Sequence, residues 1–531
     1  MRKFLLSFCF FVFALAGMAQ ADYKQASDQH FNRTMVTLTK AGTLERELTL
    51  LNPDDIQGIK VSGPMNEADL RYLYKLCKPG TLDTPHSINL HDAIVDRIPE
   101  KCFAGLTYLL YFYLPQTLQE VGDGAFQYTN ALTAAVFPAT LKKIGRTAYA
   151  GTRLTTVSIP ANVEEIGEGA FAHLSKLGSA TVDAANTTFK VDNGILINVK
   201  ENKLLQCFIT HTGELNVPTG ITALGDYSLA GAKRLTSIHI PASVKTIGED
   251  AFAATYNVES IEVDAANNHY CSVDGVLFNK NKSLLICYPT SKKGAAYVVP
   301  TTVKELATGA FQECGGGNAY QLITDKKEKK KISLKKITLP EGLIKIGSSA
   351  FTFTGVTDIN IPTTVREIGD GCFYFSDIEN ITVPEGVTRI ENGTFAYCYS
   401  LETLSLPSTI SYIGSSVFCM NDAMTTLNIS APTPPTCDVN AFDNYSPSSL
   451  TLHVVKGAKK AYQKAAVWSS LNPSDIEDDL EIVTHIGTTQ HASTATETMR
   501  YDLSGHRIAT PQRGINLIKM SDGSVRKVVV R

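Results

Sequence analysis

The sequence predicts a repeat solenoid, α/β in type but rich in β-structure, with capped ends and two hairpin insertions. Three observations carry this prediction. A proline, an aliphatic residue six positions on and a large apolar residue eleven positions on recur together ten times, from Pro115 to Phe418. The residues ahead of each proline alternate apolar and polar, the period of a strand with one buried face. The chain has 531 residues, more than one compact core usually holds, so a stacked array is expected.

At the N-terminus, Arg2 and Lys3 precede an apolar run, Phe4 to Leu15, and small residues follow at Ala19 and Ala21. This is the layout of a cleaved secretory signal, assigned here to residues 1–21. The run is too short to span a bilayer, and Met18 stands where a lipoprotein signal would carry cysteine. Residues 22–86 lack the repeat and are read as an N-terminal cap. "ERELT" and the stretch from Ile56 read as a strand followed by a helix that starts near Asn66, a good capping residue. Leu70, Leu73, Leu76 and Cys77 share one face of that helix.

The array occupies residues 87–442. In "IPASVKTIGEDAFAAT" the slots are Pro241, Ile247 and Phe252; a weaker eleventh copy places Ile98 and Phe103 at the last two. The proline ends each strand because it has no N–H to donate to a ladder. A short apolar pair and a glycine-led turn then bring the phenylalanine inward. One unit of about 22 residues loses roughly 1–2 kcal/mol of backbone entropy per residue. It buries about six large apolar side chains at roughly 1.5–3 kcal/mol each. It does not fold alone and must stack on its neighbours. Two gaps in the spacing hold matching insertions, from Val182 and from Val263, each read as a turn and a two-strand hairpin around "NG" or "DG". A third gap, Gly315 to Lys331, reads as an exposed loop that contains the basic run "KKEKKK".

After Phe418 the pattern decays. Residues 443–486 carry a strand, "LTLHVV", and a short helix with Tyr462 and Trp468, read as a C-terminal cap. A small, polar linker follows at 487–498, then a tail, 499–531, with three short strands expected in "YDLSGHRI", "RGINLI" and "KVVV".

The unit seen in "LTSIHIPASVKTIGEDAFAAT" and "LETLSLPSTISYIGSSVFCMN" resembles the BspA-like leucine-rich repeat of bacterial surface proteins. The resemblance implies a right-handed solenoid with a parallel sheet on one face. It also implies an exported protein, secreted or on the cell surface, that contacts host matrix or another cell. The tail is similar to the C-terminal sorting signal of type IX secretion at Tyr501, Asp502, Leu503, Gly505, Arg507, Gly514, Ile515 and Ile518. It departs from that signal at Asn516, where an aromatic is usual, and in its short length, which keeps a periplasmic location open.

The chemistry of an enzyme is missing from the sequence. HExxH, GxSxG, the P-loop and CxxC do not occur, and polar residues change from copy to copy, so catalysis, cofactor and metal are not expected. A net charge of −3 implies no nucleic-acid partner. The two "VDAAN" segments could offer oxygen ligands to calcium, but two oxygen-bearing side chains each are too few for a cage, and a side-chain-stabilised turn is the plainer reading. The cysteines occupy repeat slots and read as core thiols; Cys398 with Cys419, on neighbouring rungs, is the pair to check for a disulfide. The expected function is binding or adhesion to a protein or glycan through the outward strand positions, with a structural spacer as the alternative. The candidate contacts are Tyr111, Tyr113, His239, Asp358, Asn360 and Asn380, with packing against a flanking loop or the cap as the competing role for the two tyrosines.

Overall fold

Each turn of the chain lays down one strand before the proline and a second, shorter one at the aliphatic slot. In the computed structural model these stack into a parallel β-solenoid of about 17 turns with little helix. The structure describes residues 34–49, 58–77, 87–315, 334–443, 450–470 and 475–481, and in the tail 497–501, 507–508, 510, 514–520 and 525–530. The expected signal segment, the lysine-rich loop beyond Gly315 and most of the linker lie outside the described residues.

The strands before the prolines form the first ladder. Strands Lys336–Thr338 and Asp358–Asn360 pair in parallel with Ile337 opposite Ile359, and Thr403–Leu406 pairs with Thr426–Ile429 with Leu404 opposite Leu427. The aliphatic residues point into the core and their flanking neighbours point out, as in the exposed–buried–exposed pattern of Asp358–Asn360. The second ladder consists of two-residue strands, such as Glu120–Val121, Lys143–Ile144 and Glu165–Ile166. The aliphatic slot, with the polar residue before it, therefore belongs to a ladder and not merely to a turn; two residues are too few to show a period. Glycine follows this slot because successive turns nearly touch there. A Cβ on Gly248 would lie 2.4 Å from the amide nitrogen of Asp226, and one on Gly369 would lie 2.4 Å from that of Ser348.

The eleventh-position rings stack into an internal spine. Phe311, Phe351, Phe373 and Phe395 are nearly parallel, with centroids 5.4, 5.2 and 5.6 Å apart. Phe103, Phe126, Tyr149 and Phe171 form a similar column nearer the N-terminus.

The insertions differ from the expected two-strand hairpin by one strand. Phe189–Asp192, Ile195–Asn198 and Lys203–Cys207 form an antiparallel meander, and Tyr270–Val273, Val276–Asn279 and Leu284–Cys287 repeat it. The third strand of each joins the second ladder, with Leu204 opposite Leu224 and Leu285 opposite Leu306. Each insertion thus contributes a rung of its own. It is also a partition with apolar residues on both faces. Leu196, Leu205 and Phe208 pack into the N-terminal core, whereas Ile195, Ile197 and Leu204 pack into the middle one. Leu277 and Cys287 close the middle core, and Val276, Phe278 and Tyr288 open the third. Among the described residues the array therefore has three large apolar cores in series.

The ends extend the solenoid. Thr34–Thr37 and Ile59–Pro64 pair in parallel with each other and, through the latter, with Ser87–Asn89. "ERELT" lies in a short helix, Leu44–Leu48, and is not a strand; the Asp69 carboxylate accepts from the Leu44 and Gly42 amides and fixes its start. The second helix, Glu67–Leu76, is capped by Asn66 in a reciprocal capping box with Asp69; Leu70, Leu73 and Cys77 are buried and Leu76 is half-buried. At the other end, Tyr462 and Trp468 are fully buried, their O–H and N–H donating to the Ala431 and Pro435 carbonyls at 2.9 Å each. Ile476–Leu480 then adds a parallel strand to Thr451–Val455. In the tail, Glu497–Tyr501, Gly514–Met520 and Val525–Val530 form a three-stranded antiparallel sheet.

Candidate interaction surfaces

The outward face of the first ladder is uneven. At its N-terminal end Tyr113 is only 3 % exposed, and the outward Ser87 and Asn89 beside it are buried as well. Tyr113 therefore offers no accessible contact, contrary to its sequence-based reading as a candidate, and Tyr111 is half-buried. His239 is half-buried between Asn216 and Glu262 on the neighbouring strands. Asp358, Asn360 and Asn380 are exposed and lie on successive turns of the third block. Asp358 pairs with Lys336 Nζ at 2.7 Å across the rung, an exposed ion pair worth at most about 1 kcal/mol. The structure thus brings three of the six candidates together, with the partitions separating them from the rest.

A second surface was not anticipated. Phe353, Tyr374, Phe375 and Tyr397 are half-buried and Tyr399 is exposed, at the corner that leads into the first ladder of the same turns. Phe353, Phe375 and Tyr397 stack, with centroids 5.2 and 5.6 Å apart. Tyr399 meets the Phe375 ring edge-on at 5.3 Å. Phe353, Phe375 and Tyr397 each sit two residues after a spine ring with φ between 55° and 61°, a left-handed conformation that disfavours a large side chain. The same slot holds Gly105, Gly151 and Gly231 in earlier turns. The sequence signal was there, in "FTF", "FYF" and "FAYCY", but it is masked by the stronger phenylalanine one position or more away.

The remaining polar candidates serve the scaffold. Asn186 Nδ2 donates to the Pro160 and Val163 carbonyls, and its Oδ1 accepts from the Thr188 and Phe189 amides. Asn267 repeats all four bonds in the second insertion. These side chains staple each insertion to the preceding turn, and their hydrogen-bonding capacity is used. Among the described residues no three His, Cys, Asp or Glu side chains are grouped to hold a metal. Cys398 and Cys419 are free and buried, and the Cys398 thiol donates to the Phe373 carbonyl at 3.0 Å. Burial pushes the Cys102, Cys207 and Cys287 thiols up to about 12, which removes them as nucleophiles at neutral pH. Among the described residues no helix is long and apolar enough to cross a membrane.

A BspA type leucine rich repeat region, in six copies, matches residues 85–194, 198–316 and 321–448. None of the curated proteins matches the chain. Eleven solved chains match. One is the pneumococcal vaccine antigen PcpA, 22 % identical over 75 % of this chain and 88 % of that one, with a TM-score of 0.39. Another is a leucine rich cell surface protein from Faecalibacterium prausnitzii A2-165, 24 % identical over 67 % of this chain and 87 % of that one, also with a TM-score of 0.39. A third is a leucine-rich repeat protein from Eubacterium ventriosum, 20 % identical over 79 % and 91 %, with a TM-score of 0.37. The family match spans more than half of the chain and falls on the turns described above, and the chain belongs to the BspA type leucine rich repeat family.

Proposed function

We propose that the protein is an exported, surface or secreted binding module that adheres to a macromolecular partner, protein or glycan, and acts by contact without catalysis. The observation that supports this most directly is the aromatic cluster Phe353, Tyr374, Phe375, Tyr397 and Tyr399. Such rings are enriched at interface centres, and here they are partly open to solvent, three of them (Phe353, Phe375 and Tyr397) at backbone positions where glycine is easier. Asp358, Asn360 and Asn380 add polar contacts on the same turns. The domain organisation set out from the sequence, with a removable leader, an array between caps and a sorting tail, belongs to this reading. Host matrix or another cell supplies the partner.

The test is binding of the full chain to arrayed matrix proteins and glycans, repeated with Phe375→Ser and Tyr399→Ser together. Affinity for a captured partner should fall at least tenfold, roughly 1.4 kcal/mol, with little change in melting temperature. Undiminished affinity would move the binding surface elsewhere. A spacer role without a ligand is the second reading, favoured by rung-to-rung pairs such as Asn428 with Ser405 at 3.0 Å, which satisfy outward groups within the protein. Failure of every arrayed partner to bind would support it.

A further inference from the structure

The turns of Phe171 and Leu229 meet where the His173 amide donates to the Ala230 carbonyl at 3.1 Å. Beyond that bond they part around Ile209 and Thr210 of the first insertion, and a groove of about 530 Å³ opens. The first of these turns contributes Lys176 to it and the second contributes Arg234, while Ser175 and Thr210 add hydroxyls. Both cations are exposed, and each precedes a buried corner leucine, Leu177 or Leu235. Arg153, exposed before Leu154, aligns with Lys176 in the register that pairs Thr156 with Ser179. The same place holds Gly355, Asp377 and Ser400 in the third block.

The charge at this corner is not balanced. On neighbouring turns Arg97, Lys143 and Arg146 each pair with a carboxylate, that of Glu120, Glu165 and Asp226 respectively. Among the described residues Arg153, Lys176 and Arg234 join no ion pair and no side-chain hydrogen bond, and no carboxylate walls the groove. Lys233, beside Arg234, is half-buried with its ammonium 5.0 Å from the centroid of the Tyr256 ring. Burial lowers its pKa, Glu313 opposes this, and the charge of Lys176 lowers it further, so the two ammonium groups repel each other. Burial, then the charge of Lys233, holds His173 down at about 4, so its ring adds no charge at neutral pH. Like charges gathered without a counter-charge raise the local potential, and an anion relieves it.

We infer that this corner binds an acidic glycan, one whose sugars carry sulfate or carboxylate groups. One anionic group would lie between Lys176 and Arg234, whose guanidinium can take two oxygens at once. Arg153 would meet a second, and the Ser175 and Thr210 hydroxyls would exchange hydrogen bonds with sugar hydroxyls. A nucleic acid would call for rings on which to stack its bases, and no aromatic residue lines the groove. A peptide would call for a pocket that buries an anchoring side chain. The apolar wall residues are themselves covered, Leu177 fully and Ile209 in part. The inference rests on the reading of the protein as a binding module but not on its aromatic cluster, which lies on other turns.

The probes are a heparin decasaccharide, a hyaluronan decasaccharide and, as the neutral control, chitopentaose, titrated onto the full chain by calorimetry. At least one acidic glycan should bind, more weakly as salt rises from about 50 to 500 mM, and chitopentaose should not. Heparin alone would assign sulfate to the site, hyaluronan alone carboxylate, and both together either anion. Lys176→Gln with Arg234→Gln should weaken binding at least tenfold with an unchanged melt, because neither side chain has a partner in the fold. Lys459→Gln with Lys460→Gln removes the same charge from the C-terminal cap and should leave affinity within twofold, as should Phe375→Ser with Tyr399→Ser. No binding of either acidic glycan at about 1 mM would overturn the inference, as would equal binding of chitopentaose, of a poly-glutamate peptide or of oligothymidylate. Unchanged affinity in the groove variant, or an equal loss in the cap or aromatic variant, would overturn it too.

Discussion

The third block keeps ring on ring from Tyr288 through Phe311 to Phe395, with centroids 5.2–5.6 Å apart. The middle block, walled by the two partitions, has Leu229 and Phe252 in the same slots, and Phe252 borders an open cleft. One region holds its core by identical contacts between neighbouring turns. The other holds it by facing two small sheets across a short gap. The difference is one of redundancy: in a uniform stack each ring supports two others, so damage propagates to both neighbours. Beside a partition, a lost side chain opens toward an existing cleft.

Truncation of the rings measures this directly. Phe373→Ala removes a fully buried ring from between Phe351 and Phe395 and should cost roughly 3–5 kcal/mol. Phe252→Ala should cost less, about 2–3 kcal/mol, because the void joins the cleft and can fill with water. Urea melts of the two variants give both numbers. Equal losses would mean that the stack confers nothing beyond burial.

A buried carboxyl lies on the seam between the two regions. Glu313 follows the Phe311 ring by two residues, with φ 62° and 7 % exposure, near Lys233 and Tyr256 of the middle block. Burial pushes it up to about 7, from an ordinary value of 4.5. Between those two values the unfolded chain has lost the proton and the folded chain has kept it. Stability from this group is therefore fully present below pH about 4.5 and is lost as pH rises toward 7. Glu313→Gln cannot ionise, so it should be the more stable protein at pH 8, by about 3 kcal/mol, with the advantage gone at pH 4. Melts of the two proteins across that range check the sign, and a constant difference would remove the titration from the account.

What the sequence revealed follows from what repeats. The buried slots recur at fixed offsets, so the strand before each proline, the aliphatic slot and the ring could all be read. The second ladder escaped because Lys143–Ile144 and its partners are two residues long. The left-handed positions on either side of each ring escaped because glycine marks them only in some turns; Thr147, Tyr227 and Phe375 hold the same conformation. The insertions were found but under-read. "NG" and "DG" announce a hairpin, whereas the third strand is visible only as a rung without its proline. Surface candidates were legible as positions but not as exposure. Tyr113 and Asn360 both sit in outward slots of the first ladder, yet one is buried and the other is open.

Breaking the Lys203–Glu168 ion pair, which latches the first insertion to the preceding turn, should produce a smaller effect than either ring loss. Lys203→Leu installs the residue that the second insertion carries at this place, Leu284, and leaves Glu168, about one-fifth exposed, without its cation. The remaining bond to the Asp226 amide and the partial exposure of the carboxylate limit the cost to about 1 kcal/mol. A loss as large as that of Phe373→Ala would mean that the latch, and not apolar packing, holds the first partition in place.

The smallest change expected in the melt comes from the largest deletion. The tail strands Glu497–Tyr501, Gly514–Met520 and Val525–Val530 pair with one another. The third core is closed without them, by Tyr462, Trp468 and the strand Ile476–Leu480. Removing Met499 to Arg531 should therefore shift stability by less than about 0.5 kcal/mol, in the range of surface changes. Its effect should instead be on destination. If the tail acts in export, the truncated protein accumulates in the cell envelope and is lost from the surface, which fractionation and surface labelling of intact cells would measure side by side with the melt. Surface display equal to that of the full chain would remove the sorting role. A melt lowered by several degrees would show that the tail packs on the array, and would make its sheet a third region to set against the uniform stack and the partitioned block.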